Sequence, residues 1–307
     1  MLELVQLHEE TVLLVTHSFG AKIWFFFLKW IQHHYSENWI DRHVHGTYHV
    51  APVFLGVPKA FSALLSGDTR DTAQLGALST LLDTLLPPTD RAALTASWGS
   101  IVDMLPDGGS EVWPEPILQI QDDFFTIEAG MDLLFKTRSM LPHFQHAQFG
   151  VSRLRCGSTR PNSCYKDEWS KPLLVPLPWM QTSKIWCTYG VGIPTEVGYH
   201  YSGSADTVEN AEFRINTGSG VVANGVHLGD GDGSVPTQSL GHVCEEVWRT
   251  EKSNPGNATV VVRKIPHGDS YSLLGRSTAV GGSSVDHVDI MGNKFVIRDI
   301  LQIALEL

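Results

Sequence analysis

The segment VLLVTHSFGAKIWFFFLKW, residues 12–30, admits few folds. Residues 11–16 are β-branched and apolar throughout, as in a parallel strand covered on both faces. From Ala21 to His33 the spacing becomes helical, with Ile23, Phe26, Phe27, Trp30 and Ile31 on one broad apolar face. The run has about the length of a membrane span. It makes a poor one, because His17, Ser18, Gly20, Lys22 and Lys29 lie inside it and a charge is costly at the bilayer centre. Between strand and helix stands Thr16-His17-Ser18-Phe19-Gly20. Such a turn lifts a serine hydroxyl clear of a sheet, as in the G-x-S-x-G elbow. A serine two residues before a glycine is more often an ordinary turn residue. Here the flanking strand and helix favour a nucleophile, although a β-branched Thr16 replaces the first glycine.

The remaining composition narrows the function. The chain has 307 residues, 42% hydrophobic and 18% charged, with a formal net charge of -11. No Lys/Arg cluster supplies the basic footprint of a nucleic-acid binder. Four cysteines and fourteen histidines are scattered without zinc-ligand spacing. Neither metal nor cofactor is therefore expected. Cys156 and Cys164 bracket a polar loop that an oxidising compartment would close and a reducing one would leave as thiols. Asn257-Ala258-Thr259 is a glycosylation sequon, relevant only to a chain that enters the secretory route. The acidic start MLELVQLHEE does not read as a signal peptide.

Strands and helices alternate along the chain, which predicts an α/β fold with a mainly parallel sheet. Further strands are read at HVHGTYHV, KIWCTYGVG and ATVVVRKIPH, strand and loop in FRINTGSGVVANGVHLGDGDGSVP, and a closing amphipathic helix at HVDIMGNKFVIRDILQIALEL. That helix would turn Val288, Met291, Phe295, Val296, Ile300 and Ile303 inward. Residues 60–87 read as amphipathic helix. Residues 88–170 are rich in Pro, Gly, Trp and acidic residues and read as an inserted cap. The expected organisation is a first part of the core over 1–87, a cap over 88–170 and a second part of the core over 171–307. Trp98 and Trp113 are either lining for an apolar site or simple core packing.

An elbow serine needs a base and an acid, following it in the order Ser, Asp/Glu, His. GDGDGSVP supplies Asp230 and Asp232 in a glycine-rich loop, otherwise a plain turn or a calcium loop short of oxygens. SSVDHVDIMGN supplies His287 before the last helix, otherwise a packing or capping histidine. Ser18, Asp232 and His287 satisfy the order together. In such a triad His287 takes the Ser18 proton and Asp232 orients the imidazole. The Phe19 backbone N–H would donate to the oxyanion.

The segments THSFGAKIWFFFLKWI, FLGVPKAFSALLSGDTRDTAQL, SWGSIVDMLPDGG, WSKPLLVPLP, IWCTYGVGIPTE, GDGDGSVP and HVDIMGN, in this order, resemble the lecithin:cholesterol acyltransferase superfamily, and within it the phospholipid:diacylglycerol acyltransferases. The resemblance implies an α/β-hydrolase fold with an inserted cap, and the same triad on Ser18, Asp232 and His287. It implies a disulfide between Cys187 and Cys244. It implies acyl transfer from a phospholipid to diacylglycerol at a membrane surface, on the lumenal side of the endoplasmic reticulum. The family carries a long portion before the elbow, holding the first strands, a second oxyanion donor and an anchor. With Ser18 so near the start, the expectation is a truncated fold lacking those strands. Two other readings remain at this stage: a lipase or phospholipase A, and an inactive paralogue that only binds lipid.

Overall fold

A computed structural model describes residues 11–36, 38–75, 78–138, 169–202, 213–218, 222–268 and 284–305. Cys156 and Cys164 lie outside these. The strands, in chain order, are β1 (Val12–His17), β2 (Val44–Val50), β3 (Leu118–Ile120), β4 (Asp123–Phe125), β5 (Lys184–Val191), β6 (Thr195–Ser202), β7 (Arg214–Ile215), β8 (Val226–Gly229) and β9 (Thr259–Pro266). The longer helices are α1 (Gly20–His34), α2 (Pro58–Ser66), α3 (Pro88–Ala96), α4 (Ile127–Arg138), α5 (Thr237–Glu245) and α6 (Lys294–Ala304). They form two compact units, one of Met1–Phe54, Glu168–Ile193 and Asp230–Leu307, the other of Leu55–Asp167 and Pro194–Gly229.

The first unit is built on a parallel sheet in the order β1-β2-β5-β9. Its central strands are buried along nearly their whole length, polar Thr47, His49 and Thr188 included. Helix α1 covers the sheet with Trp24, Phe25, Leu28 and Ile31. Trp24 and Phe25 meet the Trp248 ring at centroid distances of 5.9 and 6.0 Å, and Phe54 meets it at 5.0 Å. Cys187 on β5 is disulfide-bonded to Cys244 on α5, tying that helix to the sheet.

Three expectations about this unit need correcting. β1 is not covered on both faces, and its Val15 is 51% exposed. Ile23 and Phe26 do not face the core; they are 60% and 42% exposed. Apolar residues occupy almost every position of α1, so periodicity alone selects no face, and the turn at Ser18 sets the helix rotation instead. The closing helix also starts later than the apolar spacing suggests. A 3₁₀ turn over Asp289–Gly292 precedes it, and the Asn293 side chain caps α6 by accepting from the Phe295 N–H at 2.9 Å. Val288, Met291 and Phe295 consequently stay exposed, while Val296 and Ile303 are buried.

In the second unit, β6 is the hub of a mixed sheet: β3 runs parallel to it, β7 and β8 antiparallel. Its Tyr199 and Tyr201 are fully buried. The Tyr201 hydroxyl lies 2.6 Å from Ser62 Oγ on α2. Trp113 packs in the interior and donates to the Asp107 carbonyl at 2.8 Å, whereas Trp98 is exposed.

Beside α2, four charges close a ring. Arg91 reaches Asp68 at 2.6 Å and Asp83 at 2.9 Å, and Arg214 reaches Asp68 at 2.9 Å and Asp83 at 2.8 Å. Arg91 also donates to the Gly67 and Leu86 carbonyls. Asp68 and Arg91 are buried, so removing one partner strands an opposite charge away from water. Asp68→Ala is expected to cost about 3 kcal/mol in urea unfolding, with much of the loss recovered when Arg91→Met is added. Equal losses in the single and double variants would contradict this account.

Candidate active site

Ser18 sits where β1 ends and α1 begins. Its φ of 56° is in the left-handed region, unusual for a residue with a Cβ. That conformation costs about 1–2 kcal/mol and persists only where the surroundings hold it. Here the Ser18 N–H donates to the Val50 carbonyl at 3.1 Å, and its carbonyl accepts from Val53 and Ala21, each at 3.1 Å. The turn is thereby held between β2 and the first turn of α1. The Phe19 N–H, next in the chain, donates to no acceptor among the described residues.

Asp232 and His287 reach Ser18 through the strand ends. Beyond β5, the Gly192 N–H donates to Asp230 Oδ1 at 2.6 Å, and Ile193 pairs with Asp232. Of the two aspartates in GDGDGSVP, Asp230 anchors the loop and Asp232 turns inward, with 0% exposure. Asp232 Oδ1 accepts from the Ser234 and Val235 N–H groups at 3.1 and 2.8 Å. Its Oδ2 lies 2.7 Å from His287 Nδ1, and the His287 N–H donates to the Asp232 carbonyl at 3.0 Å. His287 Nε2 lies 2.8 Å from Ser18 Oγ. A carboxylate can only accept, so the tautomer that fits this geometry turns Nδ1–H to Asp232 and the Nε2 lone pair to the Ser18 hydroxyl.

The loop bearing His287 passes close against β5. A Cβ at Gly190 would stand 2.1 Å from the Val285 carbonyl oxygen, so only glycine fits there. Asn293 Nδ2 holds the same loop through the Ser284 carbonyl at 2.9 Å. From the other side, His17 Nε2 donates to the carbonyl of His287 itself at 2.8 Å, with the two rings 5.0 Å apart. Sequence reasoning passed over His17; only its place next to Ser18 marked it.

Thr16, the departure from the usual elbow, has a partner. Its Oγ1 lies 2.6 Å from Nδ1 of His49 on β2. A Cβ at Gly20 would meet the Thr16 Cβ at 3.6 Å, an ordinary contact, so this turn accommodates a branched residue. His49 is fully buried against Trp24, and burial pushes its imidazole down to about 3. It is therefore neutral in the fold. No group of metal-ligating side chains occurs among the described residues.

Residues 2–294 match the profile of the lecithin:cholesterol acyltransferase family, and the chain belongs to that family. It is 29% identical to the phospholipid:diacylglycerol acyltransferase of Schizosaccharomyces pombe, over 97% of this chain and 51% of that one. The enzyme of the same name from Saccharomyces cerevisiae is 30% identical, over 97% and 49%. The lysosomal phospholipase A and acyltransferase of Bos taurus is 24% identical, over 91% and 54%. The chain spans about half the length of the curated relatives it matches. Among solved structures, a chain of the Tle4-Tli4 complex aligns over 98% of this chain and 60% of its own, with 12% identity and a TM-score of 0.48.

The buried His49 makes stability depend on pH. The unfolded imidazole takes a proton near pH 6.5 and the folded one only near 3. Its contribution is thus complete above pH 6.5 and falls by about 1.4 kcal/mol per pH unit as pH drops toward 3. His49→Gln is expected to flatten that part of the stability profile in urea titrations at several pH values. An unchanged slope would show that His49 is not the group responsible.

Proposed function

We propose that the chain is a lipid acyltransferase that carries a fatty acyl group from a phospholipid to diacylglycerol on Ser18, giving triacylglycerol. The observation that carries this reading is the continuous chain from Asp232 through His287 to the Ser18 hydroxyl, at 2.7 and 2.8 Å. The acyl donor and acceptor come from the names of the fungal relatives. We assign the first compact unit to an α/β-hydrolase core and the second to the inserted cap region of that fold.

His287 Nε2 takes the proton from Ser18 Oγ as the oxygen attacks the ester carbonyl of the phospholipid. The resulting oxyanion accepts from the Phe19 N–H, which has no other acceptor among the described residues. The ester C–O bond breaks, the proton passes from His287 to the departing oxygen, and the lysophospholipid leaves. Diacylglycerol then gives its hydroxyl proton to His287 and attacks the acyl-serine. Triacylglycerol departs and the serine hydroxyl is restored. Asp232 stabilises the imidazolium in both halves of the cycle without being protonated. No external cofactor enters these steps. The substrates are lipids, so the reaction belongs at a membrane surface, and the disulfide of the first unit suits an oxidising lumen. No helix among the described residues is long and apolar enough to cross a membrane.

The name of the bovine relative joins phospholipase A to acyltransferase, which favours hydrolysis as a second reading. Both share the acyl-enzyme and differ in whether water or an alcohol reaches it. With labelled phospholipid and diacylglycerol, the expected product is labelled triacylglycerol, lost in Ser18→Ala and His287→Ala. Free fatty acid with no triacylglycerol would replace transfer by hydrolysis, and neither product in the folded protein would overturn both.

His17 acts here as a positioning residue, holding the backbone of the base. Losing one hydrogen bond of about 1 kcal/mol should slow turnover several-fold. His17→Leu is expected to lower kcat with little change in KM, and His17→Gln, whose amide nitrogen reaches as far as Nε2, to restore most of it. Equal activity of the leucine variant and the wild type would remove His17 from the mechanism.

A further inference from the structure

We propose that Asn257 is an N-glycosylation site, carrying an oligosaccharide at the end of the sheet opposite Ser18. The sequon Asn257-Ala258-Thr259 alone is a short motif with many chance occurrences. Two independent structural observations make it specific. The first is the bond between Cys187 and Cys244, both wholly buried in the same unit. Disulfides form and persist in oxidising compartments, where asparagine-linked sugars are also attached.

The second is the division of labour between two asparagines in one loop. Asn254 is buried, and its side chain is fully engaged. It donates to the Trp248 and Ala258 carbonyls at 3.1 and 2.8 Å and accepts from the Ala258 N–H at 2.9 Å. That holds the loop. Asn257, three residues on, is exposed; its backbone N–H donates to the Asn254 carbonyl at 3.0 Å, and its side-chain amide has no hydrogen-bond partner among the described residues. It takes the left-handed conformation, φ 54°, that asparagine tolerates at a turn. Thr259, the sequon hydroxyl, is also exposed, while Ala258 between them is buried. Both polar residues of the motif therefore face solvent, and the apolar one faces the core.

The place of this loop in the sheet determines what the sugar does to the reaction. Thr259 opens β9, which runs parallel to β5 for eight residues. Ser18 follows the C-terminal end of β1, and Asp232 pairs with Ile193 just past the C-terminal end of β5. The sequon lies at the N-terminal ends of the same strands. At the usual rise per residue, β9 alone separates the two ends by roughly 25 Å. A glycan there leaves the serine clear, and it also shields the start of a strand that stands at the edge of the four-stranded sheet.

The attachment is a transfer from a lipid-linked oligosaccharide diphosphate by the cell's own transferase. Asn257 Nδ2 loses a proton and bonds to the first sugar carbon, whose bond to the diphosphate oxygen breaks, releasing the lipid diphosphate. The test uses the protein isolated from its own cells under thiol-blocking conditions. It is treated with peptide N-glycosidase in heavy-oxygen water and mapped by mass spectrometry. The expected result is a peptide in which residue 257 has become a heavy-oxygen-labelled aspartate, with Cys187 and Cys244 still linked. Asn257→Gln and Thr259→Ala should lack the glycan, Thr259→Ser should keep it, and the turnover of Asn257→Gln should match the wild type. Unmodified Asn257 in the native protein would overturn the proposal, whatever the state of the cysteines. A glycan whose removal abolished turnover would overturn its placement away from the site. Neither outcome bears on whether Ser18 forms an acyl-enzyme.

Discussion

Everything in the first unit converges on one imidazole. His287 stands between a carboxylate that cannot donate and a hydroxyl that cannot react unaided, within 2.8 Å of each. Neither partner is near it in sequence. Asp232 comes from the loop after β8, bridged to Ile193 just past β5, Ser18 from the turn beyond β1, and His287 from the approach to the last helix. A parallel sheet solves this problem because it delivers every strand's C-terminal end to the same side. The strained φ of Ser18 follows from the same geometry: a strand running straight into a helix at the sheet edge needs a left-handed residue at the corner.

The supports of the trio are as specific as the trio. The backbone of His287 is held from two directions, its N–H by the Asp232 carbonyl and its carbonyl by His17. Gly190 lets the preceding loop pass within contact of β5, and Asn293 ties that loop to the helix it caps. Beneath the turn, Thr16 is bonded to a histidine kept neutral by burial. Hydrogen bonds in such surroundings are strong when complete and costly when broken.

Much of this was legible in the sequence, for identifiable reasons. A β-branched run ending in a serine turn and followed by an apolar helix reads as strand, turn and helix, and β1 and α1 fall where that pattern sets them. The required order of serine, acid and base then singled out Asp232 and His287 among many aspartates and histidines. The rotation of α1 was not legible, because a helix apolar on nearly all sides carries no phase. No strand was read at β6, where Thr195 and Glu196 are buried side by side, and Gly198 beside Tyr199, so that no apolar alternation runs along it. The ring of Asp68, Asp83, Arg91 and Arg214 joins residues far apart along the chain, and local pattern holds no trace of such a closure. The sequence reading also ended the first part of the core at residue 87, whereas contacts group the chain from Leu55 with the second unit.

The central claim is that Ser18 is made nucleophilic by His287. A fluorophosphonate that reacts only with activated serines tests it without any lipid substrate. Peptide mapping after brief exposure should find the label on Ser18, with labelling strongly slowed in a folded His287→Ala variant. Label on another residue, or equal labelling of Ser18 with and without the imidazole, would contradict the account.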